Sequence, residues 1–262
     1  GAGASSGCGE HFLTPDEQAQ NNFLDFDAAC SFLRRCQELG VRLIVISRHL
    51  SHACRMPRSV YDEMLLRGGG IGMQIVNAQV ESISTLWGRV CAPLGSKQRD
   101  GLPDRCTREW FCATFCGGQA DDPDLTGSDT VWTRITDFNL YTPLALLAAV
   151  PLALDHYFGA AAHPVRVRGV DHRIISGHAG LETTELKTFI ARLVFKGLSM
   201  NRADFPNAAP LPAPSREVHI PGLGAIDLSD EIPDWYKDTS RFSHLAQSMD
   251  FLNRTRNGDP VR

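Results

Sequence analysis

His49 and His52 follow directly on a short aliphatic run, Val41-Arg42-Leu43-Ile44-Val45-Ile46, and that position decides what chemistry they could do. Ligands of open α/β sheets bind outside the carboxyl ends of the strands, so a histidine placed there can accept or give a proton or hydrogen-bond a substrate. His49 is the candidate, with an exposed loop histidine as the plainer alternative, because no carboxylate adjoins it in sequence to fix its tautomer. The run Gly68-Gly69-Gly70-Ile71-Gly72 precedes a helical pattern, and amides at a helix start can hold phosphate. A phosphate loop of the Walker type needs Gly-Lys-Ser/Thr, whereas Met73 and Gln74 follow Gly72, so a flexible turn between two helices is expected. Arg105, Arg108 and Trp110 offer a basic-aromatic patch; a surface helix that buries Trp110, Phe111 and Phe115 is the simpler expectation. There is no Gly-x-Ser-x-Gly elbow, and no Ser or Cys has a histidine at nucleophile spacing. The eight cysteines lack Cys-x-x-Cys spacing and the paired histidines of a zinc finger, which favours free thiols over structural zinc.

Such groups need a scaffold, and the composition supplies one. At roughly 100–200 residues per domain, a chain of 262 residues makes one large domain or two small ones. Apolar residues at 43% and charged residues at 21% exclude a disordered or collagen-like chain. With 26 basic and 30 acidic residues the net charge is −4, so no bulk field draws the chain to nucleic acid or anionic lipid. The longest apolar stretch, Leu144 to Leu154, is well short of the about 20 residues that cross a bilayer, so no membrane span is expected. The first residues, GAGASSGCGEHF, lack the basic and apolar regions of a secretory signal, which favours the cytoplasm.

The elements alternate between helical and extended patterns. Phe26, Ala29, Phe32, Leu33 and Cys36 recur at helical steps and Gly40 ends the run; the aliphatic strand 41–46 then reads as covered on both faces. Pro57 opens a helix that the glycine run closes, and a second helix spans about 71–87. Pro143 opens an apolar helix to about Asp155, and segments 165–168 and 172–175 form a hairpin around Gly169-Val170-Asp171. Thr183 to Leu198 is a further helix, with Leu186, Phe189, Ile190, Leu193 and Val194 on one face. Residues 1–200 therefore form an α/β region. Residues 201–262, with prolines at 206, 210, 212, 214, 221 and 233, are expected as an extended covering segment and tail.

Two segments in order resemble the inosine-uridine-preferring nucleoside hydrolases. Ala19-Gln20-Asn21-Asn22-Phe23-Leu24-Asp25-Phe26-Asp27-Ala28-Ala29 lies in the register of that family's Glu-Phe-Asn-x-x-x-Asp-Pro-Glu-Ala-Ala stretch, and Tyr141-Thr142-Pro143-Leu144-Ala145 in the register of its His-Asp-Pro-Leu-Ala motif. The resemblance covers roughly residues 14–180. It implies an open sheet flanked by helices, a ribonucleoside ligand at the strands' carboxyl ends, and Asn21, Asp25, Tyr141 and Thr142 beside His49 as ligand-binding positions. It also implies that the chain carries the later part of the fold and lacks the N-terminal half.

The family holds Ca²⁺ through an aspartate-rich motif on its first strand, and calcium takes six to eight hard oxygen ligands. Asp25-Phe26-Asp27 is the nearest fragment of that motif here. Thr142 replaces the second metal aspartate, and Tyr141 replaces the histidine that activates the leaving group; Asp137 is the nearest carboxylate able to compensate. A phenol of pKa near ~10 is a poor acid at neutrality. The expectation is a non-catalytic binding or assembly module without a cofactor. The alternatives are a Ca-dependent ribonucleoside N-glycosidase completed by another polypeptide that carries the aspartates, and a structural subunit of a larger complex.

Overall fold

A computed structural model describes residues 2–3, 12–118, 128–177, 180–200 and 217–228. A two-residue ladder of β1 (Ala2–Gly3) with β2 (Thr14–Pro15) precedes α1 (Gln20–Leu24) and α2 (Phe26–Glu38). Asp25 starts α2 by accepting a hydrogen bond from the Ala28 amide at 2.9 Å, the usual service of an N-cap aspartate. Gln37 is the one fully buried residue of α2, and it clamps Leu13 on both sides: its Oε1 accepts from the Leu13 amide at 2.7 Å and its Nε2 donates to the Leu13 carbonyl at 3.0 Å.

Then come β3 (Ile44–Ile46), α3 (Arg48–Ala53), β4 (Arg55–Pro57), α4 (Ser59–Arg67) and the long α5 (Gly69–Cys91). Gly72 lies so close to α4 that a Cβ would sit 2.2 Å from the Met64 carbonyl oxygen, so the glycine run is a close-packed corner between two helices. After α6 (Arg108–Phe115) and α7 (Ser128–Arg134), β5 (Asp137–Asn139) pairs antiparallel with β4 and leads into α8 (Tyr141–Ala148). The short α9 (Pro151–Ala153) and a π-helical turn, Leu154–Phe158, precede the hairpin of β6 (Ala162–Val167) and β7 (Val170–Ile175). The chain continues through α10 (Thr183–Met200) to a second hairpin, β8 (Glu217–Ile220) and β9 (Gly224–Asp227).

The main sheet is mixed and open, in the order β3-β7-β6, with β3 parallel to β7. Helices flank it. One core joins Leu50, Leu144, Phe158, Ile175 and Leu186, and a second joins Trp87, Phe111, Val131 and Phe138. Tyr61 and Trp132 pack against both. Burying each large aliphatic or aromatic side chain contributes about 1.5–3 kcal/mol, so these contacts carry the fold.

Four expectations need correction. The strand expected over 41–46 pairs only at 44–46; Val41 and Arg42 are exposed, and the Leu43 amide is held by His172 Nδ1 at 3.0 Å. The helix from Pro143 to Asp155 begins two residues earlier and is interrupted near Pro151, whose missing N–H cannot continue the ladder. The first hairpin turns at Arg168-Gly169, both at positive φ as a tight two-residue turn requires, so Val170 and Asp171 belong to the strand. Residues 217–228 are not a surface wrapping: Val218, Ile220 and Ile226 are fully buried in the main core, where strand alternation places them. The remainder of 201–262 lies outside the described residues.

The seven described cysteines are free thiols. Among the described residues, no helix is long and apolar enough to cross a membrane.

Candidate functional site

The ladder of β4 with β5 builds the site. Its register sets Arg55 opposite Asn139 and Pro57 opposite Asp137. In an antiparallel pair, the residues before Arg55 and those after Asn139 leave at the same end, so the end of α3 and the start of α8 are brought together. Ser47 fixes the other end of α3. Its Oγ donates to the Ser176 carbonyl at 2.7 Å and accepts from the Leu50 amide at 3.3 Å, which starts the helix at the carboxyl ends of the parallel pair β3 and β7.

His52 and Tyr141 meet there. The phenol oxygen lies 3.0 Å from His52 Nε2, with the rings edge to face at 6.2 Å, and Asn139 Nδ2 donates to the same oxygen at 3.4 Å. The phenol oxygen thus accepts from Asn139 and shares one hydrogen with His52 Nε2, the imidazole tautomer setting which of the two donates. Asn139 Oδ1 is buried and has no hydrogen-bond partner among the described residues.

Two guanidinium groups flank the pair, each held by a carboxylate. Arg55 is ion-paired with Asp137, a diagonal neighbour across the ladder, and donates to the Thr114 carbonyl. Arg48 lies 3.8 Å from Asp16 and donates to Gln18 Oε1 at 3.1 Å, while Arg105 donates to the Gln18 carbonyl at 2.8 Å. Burial, and then the charges of Arg55, Arg48 and His49, push the His52 pKa below its ordinary value. Burial raises Tyr141, against the opposing pull of Asn139, Arg48 and Arg55. At neutral pH the site therefore presents an uncharged imidazole and a protonated phenol between fixed positive charges. That set can hydrogen-bond hydroxyls and hold an anionic group, and it is poorly suited to proton transfer by the phenol.

The positions predicted from sequence are spread over the surface. Tyr141 and Thr142 are exposed at the start of α8, and Tyr141 finds His52, not His49, which is exposed one turn earlier on α3. Asn21 is exposed on α1, and Asp25 is occupied by its capping bond; among the described residues neither bonds to the His52–Tyr141 pair. Arg48, Arg55 and Asn139 enter through the strand ladder, which no local sequence motif announces. In the expected surface helix α6, Phe111 is buried and Trp110 and Phe115 are half-buried, with Arg108 over the Trp87 ring at 5.3 Å.

The chain is similar to effector proteins of known structure. It matches the effector protein XOO4466 with a TM-score of 0.55 at 25% identity, covering 75% of this chain and 51% of that one. It matches the type III effector protein XopQ, in its complex with adenosine diphosphate ribose, with a TM-score of 0.56 at 25% identity, covering 75% of this chain and 49% of that one. The chain thus spans about half the length of these solved structures. No family model and no curated protein matches it.

The described residues of this region do not fit calcium. Among the described residues, no three His, Cys, Asp or Glu side chains converge as metal ligands. The nearby carboxylates are engaged: Asp137 by Arg55, Asp16 by Arg48, and Asp25 by the start of α2. Thr142 offers only a neutral hydroxyl, a weaker calcium ligand than a carboxylate.

Proposed function

We propose that the chain is a nucleoside-hydrolase-like binding module that holds a ribosyl phosphate, such as adenosine diphosphate ribose, without cleaving its N-glycosidic bond. The His52–Tyr141 pair carries this reading, placed at the end of α3 and the start of α8 between Arg48 and Arg55. The uncharged pair suits ribose hydroxyls, and the guanidinium groups suit a diphosphate. XopQ, a similar chain, is known in complex with adenosine diphosphate ribose, which supports the choice of ligand. Tyr141 and Thr142, standing where the nucleoside hydrolases have the acid and a metal ligand, support binding over hydrolysis.

A second reading, an N-glycosidase completed by another polypeptide, is favoured by the length of the solved structures, about twice the matched span. Incubating the purified chain, alone and with its native neighbours, with inosine, uridine and adenosine plus Ca²⁺ and following free base by chromatography separates the two. The proposal expects intact nucleosides in both cases; release of base that requires both the neighbours and this chain supports the second reading and contradicts the proposal, as does release by the chain alone.

A further inference from the structure

One of the two guanidinium groups beside His52 and Tyr141 is engaged by the segment that leads out of β2. Asp16 folds that segment into a turn: its Oδ1 accepts from the Gln18 amide at 3.0 Å, and its carbonyl accepts from the Ala19 amide at 3.1 Å and from Asn22 Nδ2 at 2.8 Å. The turn sets two side-chain oxygens on Arg48. Asp16 Oδ2 lies 3.8 Å from its Nε, and Gln18 Oε1 accepts from its Nη2 at 3.1 Å.

Both ends of the segment are fastened without Arg48. Before the turn, Gln37 clamps Leu13 by its amide and its carbonyl. After it, Arg105 donates to the Gln18 carbonyl at 2.8 Å and lies over the Phe23 ring at 5.8 Å. The contact in the middle is weak by comparison: the ion pair is longer than a hydrogen bond, and Gln18 is exposed, a setting in which such pairs contribute little. A phosphate group offers an arginine shorter, charge-assisted and bidentate bonds. The Asp16 carboxylate and a phosphate present the same chemistry to Arg48, so they compete for the same donors.

From this juxtaposition we propose that the Asp16–Gln18 turn is an autoinhibitory strap, which occupies Arg48 as an internal competitor and gives it up when the phosphate of a ribosyl phosphate takes the guanidinium. The inference rests on the reading of Arg48 as a phosphate contact.

Calorimetric titration of the full chain with adenosine diphosphate ribose tests it on three variants. Asp16→Asn keeps the oxygen that accepts the Gln18 amide and removes the charge; Gln18→Ala removes the side-chain oxygen and keeps the carbonyl for Arg105. Each should bind about 2- to 5-fold more tightly than the parent, the range expected for the loss of an exposed competing contact. Glu17→Gln, which removes an exposed neighbouring charge, should bind like the parent. Equal affinity of the parent, Asp16→Asn and Gln18→Ala overturns the strap and leaves the ligand reading standing. Weaker binding by either variant, or an equal gain from Glu17→Gln, also overturns the strap, and failure of the parent and all variants to bind overturns both. NMR of the Gln18 side-chain amide gives a second readout: saturation of the parent with adenosine diphosphate ribose should move it toward its position in the Arg48→Gln chain without ligand. A Gln18 resonance that stays in place on saturation would contradict release.

Discussion

Tyr141 and His52 are 89 residues apart in sequence, yet the phenol oxygen rests 3.0 Å from the imidazole Nε2. The contact follows from the register of three paired residues, Arg55-Met56-Pro57 against Asp137-Phe138-Asn139, whose cross-strand ion pair of Arg55 with Asp137 locks the ladder below the site.

That ion pair makes the imidazole a reporter of its surroundings. After burial, the Arg55 charge is the largest influence lowering the His52 pKa. Arg55→Gln removes that charge and leaves the Asp137 carboxylate unpaired, so the His52 midpoint should rise toward the ordinary histidine value. Following the His52 ring proton through a pH titration by NMR checks this; an unchanged or lower midpoint would show that Arg55 does not act on the site.

His172 should make the fold sensitive to acid. It is fully buried, its Nδ1 accepts the Leu43 amide at 3.0 Å, and its Nε2 has no hydrogen-bond partner among the described residues. Burial lowers its pKa, partly offset by Asp171, so the native state keeps the ring neutral while the unfolded state takes up a proton at about pH 6.5. Its contribution is present above that pH and is lost as pH falls toward the folded pKa. His172→Phe should cost about 1–3 kcal/mol at pH 7.5, through the unpaired Leu43 amide, and should flatten the decline toward pH 5.5. Urea midpoints at both pH values test it, and a decline as steep as in the parent chain would locate the acid sensitivity elsewhere.

The glycine corner separates packing from helix propensity. Gly72→Ala drives a methyl group against the Met64 carbonyl and should destabilise by about 2 kcal/mol or more, because the backbone of α4 has to move. Gly70→Ala meets nothing within 4 Å on the same helix and should stabilise by about 0.5–1 kcal/mol. Thermal unfolding of the two variants gives the comparison, and equal effects would mean that α4 and α5 do not approach as closely as described.

The Gln37 clamp is a test of the N-terminal segment. Gln37→Ala leaves the Leu13 amide and carbonyl buried without partners, for a loss of about 2–4 kcal/mol in the docking of that segment. Hydrogen exchange at Leu13 should accelerate strongly while the amides of α5 keep their protection; uniform acceleration would make the clamp part of the global fold.

These residues also show how far the sequence could be read. Helical periodicity and proline and glycine placement located α2, α4, α5 and α10, since those signals act within a few residues. The resemblance points to Tyr141 as a ligand position, and the structure gives that residue a contact with His52. The partner of Tyr141 was a different matter: His49 and His52 sit on the same short segment, and only the pairing of β4 with β5, two three-residue strands far apart in the chain, selects His52. The hairpin of residues 217–228 was hidden for a related reason. Pro221 in its turn and the prolines at 206, 210, 212 and 214 before it are a strong local signal of irregular chain, while the alternation that carries Val218 and Ile220 into the core spans only four residues.

The most direct measurement is a calorimetric titration of the chain with adenosine diphosphate ribose, repeated with Tyr141→Phe and His52→Ala, with the ligand recovered afterwards and examined by chromatography. The predicted result is saturable binding, weakened about 2- to 10-fold by Tyr141→Phe and further by His52→Ala, as expected for the loss of one and then two hydrogen-bonding groups, with the ligand recovered intact. Absence of binding, binding indifferent to both substitutions, or recovery of free adenine would contradict a non-hydrolytic ribosyl-phosphate site built on His52 and Tyr141.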